Sequence, residues 1–193
     1  MDAYQDDLAY IHDAGYGDFA RDAALGLLHI LGQGGIRKGR VIDLGYGSGV
    51  WARQLVNAGY EVLGIDLSAA LIDLQLFRHI YAALRPGGLF IFDLTEPGRG
   101  QGRQQSHRQG VDWAALVDYE SDPIRQQLTR RITTFRQVGT AYRRSHEVHR
   151  LHLYRGADIA NELRQMGFRV RIVRGYGPFH FPKSYVGCIA RKP

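Results

Sequence analysis

Apolar and polar positions along the chain switch between a helical and an extended period. Residues 5–31 carry helical spacing, with Leu25, Leu28 and Leu31 as an apolar stripe beyond a polar turn at Gly15 to Asp18. GQGGIRKG at 32–39 reads as a loop, and RVIDLG at 40–45 is a short apolar run ending on glycine, the pattern of a buried parallel strand. Residues 48–58 read as a helix with Ser48 at its N-cap and Gly59 as its stop. A second strand follows at 60–68, YEVLGIDLS. Residues 69–84 read as one helix with Leu76, Phe77, Ile80, Tyr81 and Leu84 on one face, then an RPGG turn at 85–88 and a third strand, LFIFDL, at 89–94.

The second half reads differently. Residues 95–110 are polar and glycine-rich, which predicts a mobile loop. Residues 128–137 and 141–154 flank VGT in the manner of an antiparallel hairpin. Residues 156–168 place Ile159, Leu163 and Met166 on one helical face with Gly167 at the C-cap, and 168–177 and 184–193 read as closing strands. Short strands alternating with helices predict an α/β fold: a mostly parallel sheet with helices on both faces, plus an antiparallel hairpin and an antiparallel edge. The 193 residues fit a single domain, with a core at 38–94, a loop-and-hairpin insertion at 95–155 and a closing helix and strands at 156–193.

Composition narrows the classes. Hydrophobic residues make up 45% and charged residues 23%, so the chain can build a core and is not broadly disordered. No apolar run approaches the roughly 18 residues of a membrane helix, and the acidic start MDAYQDDLAYIHDAG lacks the pattern of a secretory signal. Cys188 is the only cysteine, so no intrachain disulfide forms and a cytoplasmic setting is expected. The net charge is +6, and only Lys38, Lys183 and Lys192 among the 25 basic residues are lysines. That charge suits nucleic acid or an anionic substrate, but it is spread along the chain, which favours a solvated surface.

The informative stretch is VIDLGYGSGVWA followed by GIDLS. Gly45, Gly47 and Gly49 fall between a strand and a helix, where Gly45 permits a tight turn and the other two let a ligand lie against the backbone. Asp66 ends the next strand, 21 residues after Gly45, where a carboxylate can accept hydrogen bonds from both hydroxyls of a ribose. A dinucleotide site has the fingerprint G-x-G-x-x-G/A; here that last position is Val50, and the third glycine comes one residue early.

The spacing D-x-G-x-G-x-G from Asp43 to Gly49 resembles the first motif of the class I S-adenosylmethionine-dependent methyltransferases, whose core is Rossmann-like. VLGIDLS resembles the family's second motif, LRPGGLFIFDL its fifth-strand region, and the last helix and strand its closing elements. The likeness covers roughly residues 38–94 and 150–193, and within the family it is nearest in look to small-molecule enzymes related to glycine and sarcosine N-methyltransferases. The resemblance implies S-adenosylmethionine as cofactor. It implies Asp43, Gly45, Tyr46, Gly47, Ser48 and Gly49 around the methionine end, and Asp66 and Leu67 at the ribose. Tyr46 departs from the family, where a small residue is common.

Family members carry two more βα units between the second and fifth strands. Here only residues 68–88 separate GIDLS from LFIFDL, and two further units need roughly 30–36 residues more. The chain therefore reads as lacking its central two βα units, with a five-stranded sheet in which LFIFDL lies beside RVIDLG and Asp93 at the carboxyl edge. The implied function is methyl transfer to a small-molecule acceptor, impaired by the shortening. The alternatives are a nucleic-acid methyltransferase and a non-catalytic cofactor-binding protein.

Other groups carry less. His146, His149 and His152 recur every third residue, which in a strand puts His149 on the opposite face and argues against a metal. Arg125, Arg130, Arg131, Arg136, Arg143, Arg144, Arg150 and Arg155 suit a solvated basic hairpin better than an anion clamp. Tyr4 and Tyr10 fit either a cofactor cover or packing, and Asp93, His107 and His12 are candidate bases by position or type alone.

Overall fold

The computed structural model describes residues 6–45, 49–65, 74–98 and 103–193. Two helices open the chain, α1 (Asp6–Tyr16) and α2 (Asp18–Gln33), divided within the turn that the sequence places at Gly15 to Asp18. The break at Gly17 follows from low helix propensity at Gly15 and Gly17 and from different docking sites, since α1 packs on one sheet and α2 on another. Of the expected apolar stripe Leu31 is buried and Leu28 packs beside it, but Leu25 is 73% exposed, and the buried side is Ala23, Ala24, Gly26, Ile30 and Leu31. Gly26 is on that side because α2 presses on the backbone of Tyr176. A methyl group there would collide with the Tyr176 carbonyl.

The β1 (Gly39–Leu44), α3 (Val50–Asn57) and β2 (Tyr60–Ile65) elements form a βαβ unit. Its strands are parallel, from Gly39 opposite Tyr60 to Leu44 opposite Ile65. One face, with Val41 and Val62, packs against Leu31, Leu55 and Tyr60. The other leaves Ile42, Leu44 and Leu63 at 49%, 47% and 49% exposure. Among the described residues, helices therefore cover only one face of this pair, against the two expected.

After α4 (Leu74–Ala83), β3 (Leu89–Thr95) pairs antiparallel with β11 (Tyr185–Arg191), which pairs antiparallel with β8 (Arg169–Val173). Phe77 of α4 and Ile159 and Leu163 of α5 (Gly156–Gln165) pack with Phe90, Phe92, Leu94, Val186 and Cys188 on one face. Ala23, Leu27 and Ile30 of α2 meet Leu89, Ile91, Val173 and Ile189 on the other, under a small hairpin of β9 (Gly175–Tyr176) and β10 (Phe179–His180). Val186 to Ala190 are all buried, as befits a central strand covered on both faces. The five-stranded sheet expected from the sequence is not formed. Among the described residues β1 pairs with β2 alone and β3 with β11 alone, along a full ladder from Leu89–Arg191 to Thr95–Tyr185, and no described strand bridges β1 and β3. The result is a mixed α/β architecture in which the only parallel pair described is β1–β2.

Residues 103–152 form an antiparallel meander of β4 (Arg103–Gln109), β5 (Trp113–Asp122), β6 (Gln127–Val138) and β7 (Ala141–His152). The β6–β7 hairpin matches the sequence reading. The mobile loop expected at 95–110 does not: residues 103–109 are a strand, held by backbone pairing from Arg103–Glu120 to Gln109–Ala114. Every residue of β4 is exposed, so no apolar alternation marks it. The meander leaves the end of β3 and returns at α5, and α1 lies on its inner face, with Leu8 on Val117 and Ile132 and Ile11 on Trp113 and Ala115. No described helix is long and apolar enough to cross a membrane.

Candidate functional site

The turn after β1 is shaped by two glycines. Gly45 has φ 80° and Gly49 φ 72°, left-handed values at which a side chain is strained. The Gly45 N–H donates to the Ile65 carbonyl at 2.7 Å, which ties the ends of β1 and β2 together. A Cβ built on Gly45 meets no heavy atom of the described residues within 4 Å. Asp43 stands in β1 opposite Gly64, which also walls an open groove of about 460 Å³ between α3 and β2, along Ala52, Arg53, Val56, Asn57 and Val62.

The helix begins at Val50, so Gly49 and not Ser48 holds the N-cap position. Gly49 has no side chain to cap α3, and no capping side chain is seen among the described residues. The structure thus brings Asp43, Gly45 and Gly49 to one end of the β1–β2 pair. Tyr46, Gly47, Ser48, Asp66 and Leu67 lie outside the described residues.

A second polar group sits near the end of β3. Asp93 shares the face of Leu89 and Ile91 and lies opposite Gly187. Burial raises its carboxyl from 3.8 to about 6, against a lowering hydrogen bond from its own backbone. Burial also pushes the Tyr176 hydroxyl above its ordinary value, with the Asp93 charge adding to it, and lifts the Cys188 thiol to about 11. Cys188 is therefore a packing residue and not a nucleophile.

The other candidate bases separate by place. His107 pairs with the exposed Leu116 on the outer face of the meander. His12 stacks on Tyr16 one turn along α1, where partial burial and then the Arg130 charge lower its pKa. His146 and His152 are exposed, whereas His149 lies on the inner face, 2.9 Å from the Glu147 carboxylate and 3.3 Å from Arg130. No group of three metal-binding side chains exists among the described residues.

The arginines are not simply a solvated hairpin face. The Asp7 carboxylate of α1 is buried and holds Arg143 through Nε and Nη2 as well as Nη1 of Arg136, and the Arg143 hydrogen bond holds the Asp7 pKa below its usual value. Tyr10 packs with them: its hydroxyl donates to Asp112, and the Arg136 guanidinium lies 3.7 Å over its ring. Tyr4 lies outside the described residues. Sequence reasoning missed this ion cluster, because Asp7 is more than 120 residues from both arginines and nothing local marks it as their partner.

No protein-family model matches the chain, and no curated protein matches it in sequence. Solved structures do. An S-adenosylmethionine-dependent methyltransferase from Clostridium acetobutylicum superposes with a TM-score of 0.77 at 15% identity, over 95% of this chain and 97% of that one. The chain has the methyltransferase fold. A sugar N-methyltransferase from Streptoalloteichus gives a TM-score of 0.73 at 15% identity over 99% and 94% of the two chains. An amino pentose methyltransferase from Micromonospora echinaspora, bound to S-adenosylmethionine, gives 0.66 at 13% over 98% of each. At such identities the likeness is one of fold, and the methyltransferase fold is the one that the glycine spacing and the LRPGG–strand element imply.

Proposed function

We propose that the protein binds S-adenosylmethionine at the β1–α3 turn and transfers its methyl group to a small-molecule acceptor. The observation that carries this reading is the turn itself: Gly45 and Gly49 in left-handed conformations between a parallel strand and a helix, with no described atom within 4 Å of a Cβ at Gly45, in a chain of methyltransferase fold. Asp43, Gly45, Tyr46, Gly47, Ser48 and Gly49 would hold the methionine end, and Asp66 with Leu67 the ribose. The names of the structural neighbours, a sugar N-methyltransferase and an amino pentose methyltransferase among them, support a small-molecule acceptor.

The bound cofactor supplies an already activated methyl group, so the chain's own task is to align the acceptor and exclude water. An amine that arrives protonated also needs a proton acceptor. Asp93 is the residue for that role: a carboxyl near the carboxyl end of β3 whose pKa is raised toward neutrality. The reading includes a shortened centre between β2 and β3, which agrees with the half-exposed Ile42, Leu44 and Leu63 and implies weaker cofactor binding than in a relative with the full set of units.

Calorimetric titration with S-adenosylmethionine, its demethylated product and NAD tests the proposal. Saturable binding of the first two, lost on Gly47→Val, is expected. Tighter binding of NAD overturns it.

A further inference from the structure

The inner face of the meander is basic, and α1 is acidic. Alternation along the strands puts Arg108, Arg130, Arg136 and Arg143 on the side that α1 covers, together with Trp113, Ala115, Val117 and Ile132. The helix DDLAYIHDAGY carries three aspartates and neither lysine nor arginine. It is pinned at both ends by carboxylates: Asp7 on Arg136 and Arg143, and Asp18, just beyond it, on Arg108 at 2.7 Å.

The Asp7 carboxylate does not satisfy the donors around it. Its side chain is 4% exposed, yet the Arg143 side chain that grips it is 54% exposed, so the fork is open to solvent on its outer side. Among the described residues, the Nε atoms of Arg136 and Arg130 are buried with no hydrogen-bond partner. Buried donors are rarely left unpaired, and the Arg136 Nε marks the guanidinium beside Asp7 as short of an acceptor. A free oxyanion, not tethered to a helix, can approach Arg136 and Arg143 in the forked geometry that guanidinium favours.

We propose that Arg136 and Arg143 form a binding site for the carboxylate or phosphate group of a small ligand, and that Asp7 is its resident competitor. Ligand binding displaces Asp7 and loosens α1, whose apolar anchors on the sheet are Leu8 and Ile11. The proposal is independent of the cofactor reading, since it involves none of the residues of the β1–α3 turn.

Trp113 lies beneath α1 and is one of two tryptophans, so in a Trp51→Phe background its fluorescence reports on the helix. Inorganic phosphate and succinate are titrated separately at ionic strength held constant with chloride. A saturable change is expected, at least ten-fold tighter in Asp7→Asn and weakened at least ten-fold when Arg136→Gln and Arg143→Gln are added to that variant. The stronger of the two probes identifies the group. A response no larger than that to chloride, or Asp7→Asn binding no more tightly, overturns the proposal. Should Asp7→Asn fail to fold, amide hydrogen exchange of the unaltered chain decides: exchange in α1 that quickens with the bound anion supports displacement, and unchanged exchange refutes it.

Discussion

Asp93→Asn separates the cost of a buried charge from its use. The carboxyl lies on the α2-covered face of β3, where burial moves its pKa from 3.8 to about 6. A difference of about two pH units corresponds to ~3 kcal/mol between the folded and unfolded environments of the charge. Because the folded pKa is the higher one, the native state takes up the proton first as pH falls. The ionised carboxyl therefore destabilises the fold fully above about pH 6, and the penalty fades between about 6 and 3.8. Asparagine keeps the shape and the acceptor for its own backbone N–H, and leaves an amide N–H₂ whose desolvation costs about 1–3 kcal/mol.

The variant is thus expected to be more stable at pH 8, by at most ~3 kcal/mol less that amide cost, and to lose the advantage at pH 4. Urea unfolding at pH 4, 6 and 8 with a common slope measures it. An equal difference at all three values, or a variant less stable at pH 8, refutes the argument. Turnover, where assayed, should fall in the same variant, since a proton acceptor is lost as stability is gained.

Three further outcomes follow from named contacts. Asp66→Ala should raise the dissociation constant for S-adenosylmethionine about ten- to hundred-fold, as expected for losing a charge-assisted bond worth about 1.5–3 kcal/mol, with the melting temperature unchanged without ligand; calorimetry and a thermal melt check both halves. Gly26→Ala forces a methyl group into the Tyr176 carbonyl and should destabilise the fold by roughly 1–3 kcal/mol in urea, whereas Leu25→Ala, at an exposed position, should cost little beyond helix propensity. Replacing Ile42 and Leu63 by threonine should reduce concentration-dependent light scattering while leaving the melting temperature within a few degrees, because these cross-strand neighbours are about half exposed.

The parts legible in the sequence are those whose signal is local. Continuous apolar runs gave β1, β2, β3 and β11, helical spacing gave α5 and the described part of α4, and three glycines between a strand and a helix marked the turn that Gly45 and Gly49 shape. Turn residues located the β6–β7 hairpin, and residue parity alone put His149 opposite His146 and His152. What the tertiary structure decided is partnership over long distance. RQQSHRQ carries no alternation, and only backbone pairing with β5 makes it a strand. The pairing of β3 with β11 depends on a ladder closed across ninety or more residues, which no local pattern encodes. The burial of Asp7 between two arginines, and of Asp93 under α2, likewise exists only once distant elements meet, because a charge takes its energy from its surroundings and not from its neighbours in sequence.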